Sequence, residues 1–324
     1  MSLDDEINEA GREFPIEKFK IEIPDIPIVS SKDSVISAIK YIEKVHDNAK
    51  NGSGAIVGIP TGFVDLDKTI GGLQGLVVLG ARPEINMSAF ALNIAEYASV
   101  GYDGFKGCKV VYVKPGEDHA FLTRRMLLSK SRVNLNNMVE GFLCERDYPK
   151  LTNAAGKLAN NENLKYITSF LSMGTLQHHC EVLQESEGLD LVIIDKLQNL
   201  DNFKPISGSS SSMYNRVQEI KYSLMEMKSR GIAVLVLSEM KKKQRKRDSL
   251  ETDDLRDWGI LEYESSPILL LERDEENFDN LNSSEVFGVN INVRNNYWGK
   301  HSETINLIYL SPYGRFESAT KVGY

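Results

Sequence analysis

No stretch of this sequence approaches the roughly 18 consecutive apolar residues that a membrane-spanning helix requires, so a spanning protein is excluded. The opening, MSLDDEINEA, is acidic and has no basic-then-apolar export pattern, which predicts a cytoplasmic protein, either bacterial or phage-encoded in its host. Cysteine is scarce. Cys108, Cys144 and Cys180 have neither metal-type nor disulfide-type spacing and read as reduced thiols. Positive charge is the minority sign, with 38 Lys and Arg against 46 Asp and Glu and a formal net charge of −8. That balance excludes a compactor of DNA coated in basic surface, while leaving room for a local basic patch. There is no internal repeat, and collagenous, disulfide-stapled and wholly disordered classes are excluded as well. What is present, 41% hydrophobic and 26% charged residues in a chain of 324, suits a soluble globular protein with a substantial core.

Residues 1–33 are acidic, contain Pro15, Pro24 and Pro27, and hold no sustained helical period; they read as an extended arm. From Ser34 to Ala49, Val35, Ile36, Ile39, Ile42 and Val45 recur at helical spacing, predicting an amphipathic helix capped by Asp33 or Ser34. Its stripe is suited equally to another chain and to its own domain. Beyond Asn51-Gly52-Ser53-Gly54, short apolar runs alternate with helical patterns. The runs 76–79, 109–113, 191–194, 233–237 and 268–271 show little alternation, as strands covered on both faces do. Helices are predicted at 88–100, 118–131, 147–159, 175–187 and 214–229, with a flexible Ser-rich loop at 206–212. This order predicts a mostly parallel sheet with helices on both faces. Residues 286–310 alternate more cleanly, predicting antiparallel strands that finish the sheet.

In an open α/β sheet, ligands sit at the carboxyl ends of the strands. The first strand ends at Gly80-Ala81-Arg82-Pro83-Glu84-Ile85-Asn86-Met87-Ser88 and opens a helix, the place for a phosphate-binding loop. Such a loop needs glycines for close backbone approach, a lysine for the β/γ-phosphates and Ser or Thr for magnesium. Ser88 meets the last requirement; Asn86 and Met87 stand where glycine and lysine would. Leu191-Val192-Ile193-Ile194-Asp195 ends a buried strand in an acid, the arrangement that holds a magnesium-bound water in P-loop ATPases, though a weak pattern by itself.

Gly58-Ile59-Pro60-Thr61-Gly62-Phe63, Gly71-Gly72-Leu73-Gln74, Ala81-Arg82-Pro83, the segment from Ser88 to Ala95, Ile193-Ile194-Asp195-Lys196-Leu197-Gln198, Leu237-Ser238-Glu239-Met240, Asp254-Leu255-Arg256 and the Asn292–Asn295 strand occur in order. Together these segments resemble the ATPase domain of DnaB-type replicative helicases, over residues 34–318. The resemblance implies an α/β RecA-like P-loop NTPase fold, with an arm at 1–33, a linker helix at 34–50 that packs on a neighbouring subunit, and the helicase domain at 51–324. It also implies a hexameric ring around single-stranded DNA. The family's helical N-terminal domain has no counterpart here.

The departures concentrate at the nucleotide site. Where the family loop reads roughly Ser-x-Gly-Lys-Thr, this chain has Glu84-Ile85-Asn86-Met87-Ser88. The family's catalytic glutamate aligns with Gly116, and Glu117 stands one place late. The sensor glutamine becomes Glu239; the finger strand keeps Arg294 but has Asn292 in place of lysine. Phosphoryl transfer depends on positioned positive charge and a positioned nucleophile, and losing one such contact lowers the rate by about 10²–10³. Glu84 and Glu239 instead add negative charge near a polyanion. The expectation is a degenerate nucleotide site built from Arg82, Glu84, Asn86, Met87, Ser88, Asp195 and Glu239, with Glu117 and Arg294 as the remaining catalytic candidates. ATP and magnesium, the latter on Ser88 and Asp195, belong to it only if the site survives.

The basic run holding Lys241, Lys242, Lys243 and Arg245 follows a strand end, and Arg256, Asp257 and Gly259 match a family segment that touches the DNA backbone. A solvated loop and a DNA contact are both open readings of the run. Tyr297-Trp298 suits packing better than base stacking, and adjacent His178 and His179 face different directions on a helix, against a metal site. The expected function is binding in DNA replication, with single-stranded DNA, replicative helicase subunits or other replication proteins as partners and ATP hydrolysis lost. The alternatives are an active 5′–3′ DNA helicase whose site is rebuilt with Arg82 or Lys114, and a helicase-subunit mimic acting as inhibitor or loader.

Overall fold

The computed structural model describes residues 28–50, 56–82, 84–102, 105–200, 210–240, 250–255, 264–274, 285–297, 299 and 302–319. The chain divides into two units, Met1–Lys44 and Val45–Tyr324. The described part of the first is Ile28 onward and consists mainly of the start of helix α1, Ser31–Lys50. This helix begins earlier than its periodicity predicts, because Ser30 caps it: the Ser30 hydroxyl accepts from Asp33 N at 3.1 Å and donates to Asp33 Oδ2 at 2.6 Å. Residues 31–33 therefore belong to the helix, not to an arm. The stripe of Val35, Ile36, Ile39 and Ile42 is exposed.

The second unit is built on one nine-stranded sheet in the order β3-β2-β4-β5-β1-β6-β7-β8-β9. Its strands are β1 Leu76–Ala81, β2 Val110–Val113, β3 Leu164–Ile167, β4 Leu191–Ile194, β5 Ala233–Glu239, β6 Ile268–Asp274, β7 Val286–Arg294, β8 Glu303–Leu310 and β9 Arg315–Ser318. The first six in that order are parallel; β7, β8 and β9 extend the sheet antiparallel. The helices are α2 Val64–Ile70, α3 Met87–Val100, α4 His119–Ser131, α5 Leu135–Val139, α6 Asp147–Ala159, α7 Met173–Ser186 and α8 Ser210–Ser229.

Two cores explain the unbroken apolar runs. Val77 and Leu79 of β1 face one way, with Leu191, Ile193 and Leu235, and pack under Phe90 and Ile94 of α3. Leu76 and Val78 face the other way, with Val192, Ile194 and Val236, under Leu176 of α7 and Ile220 and Leu224 of α8. Every residue of these strands is thus a core residue, and the period of two is hidden. On β7 the alternation survives: Phe287, Val289, Ile291 and Val293 are buried, whereas Asn290 and Asn292 lie on a polar face. There Asn306 donates to Asn290 at 2.7 Å and Thr304 to Asn292 at 2.8 Å.

The predicted Ser-rich loop is corrected at its end, since Ser210, Ser211 and Ser212 open α8. Residues 206–209 lie outside the described set. Among the described residues no helix is long and apolar enough to cross a membrane. The three cysteines are free, and burial pushes the thiols of Cys108 and Cys180 up to about 12.

Candidate functional site

A cavity of about 580 Å³ opens at the carboxyl ends of β1, β5 and β6. Arg82, Glu84, Asn86, Met87, Ser88 and Glu239, all expected from the sequence, contribute to its lining. The antiparallel strands close its far side with Phe287 and Tyr309, and Arg273 lies over the Phe287 ring at 4.4 Å. Glu239 forms an ion pair with Lys196 at 2.6 Å, so part of its charge is balanced within the chain.

The start of α3 decides what the cavity can hold. A helix N-terminus leaves backbone N–H groups without intrahelical partners, which is why phosphates bind there. Here Asn86 caps α3 with its own side chain, Oδ1 accepting from Ala89 N at 3.1 Å. The same Oδ1 accepts from Arg125 Nη2 at 3.1 Å, and Nδ2 donates to the Tyr309 hydroxyl at 3.2 Å. Met87 is buried, 5% exposed, and its side chain belongs to the α3 side of the core. The position expected to carry a phosphate-binding cation therefore offers a thioether packed in hydrocarbon.

Behind Ser88 lies a buried polar cluster. Asp195, fully buried immediately after β4, accepts from Ser88 Oγ at 3.0 Å, from the Tyr112 hydroxyl at 2.7 Å and from Lys114 Nζ at 2.7 Å. Lys114 Nζ also donates to Ser88 Oγ at 3.1 Å. Burial, with the Asp195 carboxylate beside it, raises the Tyr112 hydroxyl far above the usual tyrosine range, so it remains a donor. Tyr112 and Lys114 stand two apart on β2 and its extension, hence on one face, and β2 pairs with β4. That spacing beside an acid-ending strand is the signal by which the cluster was legible; Tyr112 and Arg125 were missed.

Magnesium does not fit this arrangement. A P-loop metal is held by a Ser or Thr hydroxyl and the acid of the neighbouring strand, and here an ammonium bridges those two groups. A divalent ion about 4 Å from that ammonium would meet a repulsion of roughly 8 kcal/mol at an effective dielectric near 20.

The other expected residues are dispersed. Gly116 has φ +81, and a Cβ there would lie 2.7 Å from Phe170 Cζ. Glu117 does not line the cavity; it precedes Asp118, which caps α4 by accepting from Ala120 N at 3.1 Å. Arg294 pairs with Ile268 at the amino end of β6, whereas the cavity lies at its carboxyl end. It therefore does not serve the cavity of its own chain. Asn292 donates to Glu272 at 2.8 Å. Lys241, Lys242, Lys243, Arg245, Arg256, Asp257 and Gly259, and also Trp298, lie outside the described residues. Their described flanks do meet, because Met240 and Leu255 form an antiparallel bridge. Tyr297 is exposed. Among the described residues no three His, Cys, Asp or Glu gather as a metal centre, which covers His178 and His179.

Residues 58–318 match the DnaB-like helicase C terminal domain family. The chain belongs to that family. Among its DnaB-like relatives, the replicative DNA helicase DnaC of Bacillus subtilis is 30% identical over 296 residues, covering 88% of this chain and 61% of that protein. The replicative DNA helicase DnaB of Geobacillus stearothermophilus is 29% identical over 294 residues, with the same coverage of 88% and 61%. The chain thus spans about three fifths of the length of these relatives. The fold matches a solved DnaB-like ATPase domain with a TM-score of 0.74 at 22% identity, over 91% of this chain and 100% of that one. It also matches a DnaB-like replicative helicase, described together with its interactions with primase, with a TM-score of 0.67 at 22% identity, over 90% and 67%. The RecA-like DnaB architecture expected from the sequence is the observed one.

Proposed function

We propose that this DnaB-like domain acts in DNA replication by binding, with ATP turnover lost. One observation carries the reading: the residue at the phosphate-binding lysine position, Met87, is packed into the core, and the Asn86 side chain fills the helix start beside it. Rate enhancement in phosphoryl transfer comes from positioned charge, and neither group supplies any. The binding partners are single-stranded DNA, through the two segments that flank the Met240–Leu255 bridge, and helicase subunits or other replication proteins in a hexameric ring. The position of Arg294 at the amino end of β6, away from its own cavity, suits a residue lent to a neighbour.

The test is calorimetric titration of ATP with magnesium into the full chain, with and without single-stranded DNA, together with phosphate release. The expected result is no heat at millimolar nucleotide and no phosphate release, alongside salt-dependent DNA binding. DNA-stimulated phosphate release would overturn it. The second reading, a 5′–3′ DNA helicase with a rebuilt site, draws on the Lys114 ammonium lying 3.1 Å from Ser88 Oγ, and it predicts ATP affinity that Lys114→Ala abolishes.

A further inference from the structure

We propose that the Lys114 ammonium permanently replaces the divalent cation of this pocket, so that Ser88 and Asp195 bind no magnesium and any polyphosphate entering the cavity does so metal-free. The inference rests on the reading of this pocket as a degenerate nucleotide site and specifies what its cation has become.

The geometry is that of a metal site with its ion exchanged for an amine. Asp195 Oδ1 takes the Ser88 hydroxyl at 3.0 Å, leaving Oδ2 to the ammonium at 2.7 Å, and the ammonium returns to Ser88 Oγ at 3.1 Å. A hydroxyl and a carboxylate one strand apart are two of the oxygen ligands a small hard cation needs, at 2.0–2.1 Å for magnesium. The ammonium offers three donors instead, and it is anchored: the Lys114 side chain is 12% exposed and Asp195 is fully buried. Tyr112 supplies Asp195 with a further neutral donor, so the buried carboxylate has its charge balanced and its lone pairs occupied without any ion from solution. The amine is also tethered. Its local concentration does not vary with the medium, so free magnesium has to displace a covalently attached competitor.

Manganese, whose free-ion resonance signal disappears on binding, is the probe. Titrated into the full-length chain, it is expected to keep its free signal at millimolar concentration. Lys114→Ala removes the amine and is expected to gain one manganese equivalent, bound at least tenfold more tightly than by the parent chain. Adding Asp195→Asn should abolish that gain. Magnesium should raise the melting temperature of Lys114→Ala and leave that of the parent unchanged. Should Lys114→Ala not fold, the parent chain still decides: ATP titrated with magnesium or with EDTA gives the same result if the inference holds. Manganese uptake by the parent that Asp195→Asn removes, ATP binding that requires magnesium, or a folded Lys114→Ala that gains no metal would overturn it. Phosphate release bears separately on the proposed loss of turnover, so the two failures are distinguishable.

Discussion

The Tyr112 hydroxyl donates to the same oxygen of Asp195, Oδ2, that Lys114 holds, at 2.7 Å, and both partners are fully buried. Replacing Tyr112 with Phe removes a donor from a buried carboxylate while keeping the ring. A hydrogen bond to a charged group contributes about 1.5–3 kcal/mol, and Tyr112→Phe is expected to lose that much. A lower urea midpoint with an unchanged slope is the confirming result, since a changed slope would mean a change in compactness instead.

Restoring the family lysine should fail. Met87→Lys places an ammonium among the core residues that now surround the thioether, so the protein is expected to lose about 3 kcal/mol or more. Calorimetry should show no ATP binding in the variant. Strong ATP binding at unchanged stability would mean that the side chain at 87 turns into the cavity.

Gly116→Glu should likewise not restore a catalytic carboxylate. The backbone there is left-handed, which disfavours any side chain by about 1–2 kcal/mol, and Phe170 occupies the space of the new Cβ. Reduced stability and no phosphate release are expected, measured by thermal melting and a phosphate assay.

How much of this was legible in the sequence depended on burial. β1, β4 and β5 could be read because both faces of each are covered, which forces continuous Val, Ile and Leu. Strands β3 and β9 escaped notice: β3 is nowhere fully buried, and β9 buries only Phe316. The acid at 195 and the hydroxyl at 88 were recognisable because strand and helix ends fix where they stand. The direction of Met87 was not, because a residue at a helix start can face either cavity or core, and tertiary packing makes the choice. Nor could the sequence show that the flexible stem of Lys114 ends on Asp195, although it marked Lys114 as a spare charge.

The buried turn before α2 carries a pH signature. Asp67 accepts from Thr61 N at 2.8 Å and Thr61 Oγ1 at 2.7 Å, yet burial outweighs these bonds and raises its carboxyl from 3.8 to about 6. The folded state therefore binds the proton more tightly than the unfolded chain. The associated stability is fully present below pH 3.8 and is lost as pH rises through about 6, in all about 3 kcal/mol. Relative to Asp67→Asn, the parent protein should lose stability between pH 4 and 6 and run parallel above pH 7. Urea unfolding at stepped pH values measures this directly.

The triple engagement of Asn86 has a mechanical consequence. One amide joins the loop after β1 to its own helix, to Arg125 on α4 and to Tyr309 on β8, all without any guest. A ligand can shift a conformational balance only by the difference in its affinity for two shapes. A loop already clasped from three sides by its own chain presents one shape whether the cavity is filled or empty, so nothing that enters there transmits a stroke. Such a domain is suited to being a fixed strut in an assembly whose movement is driven from other sites.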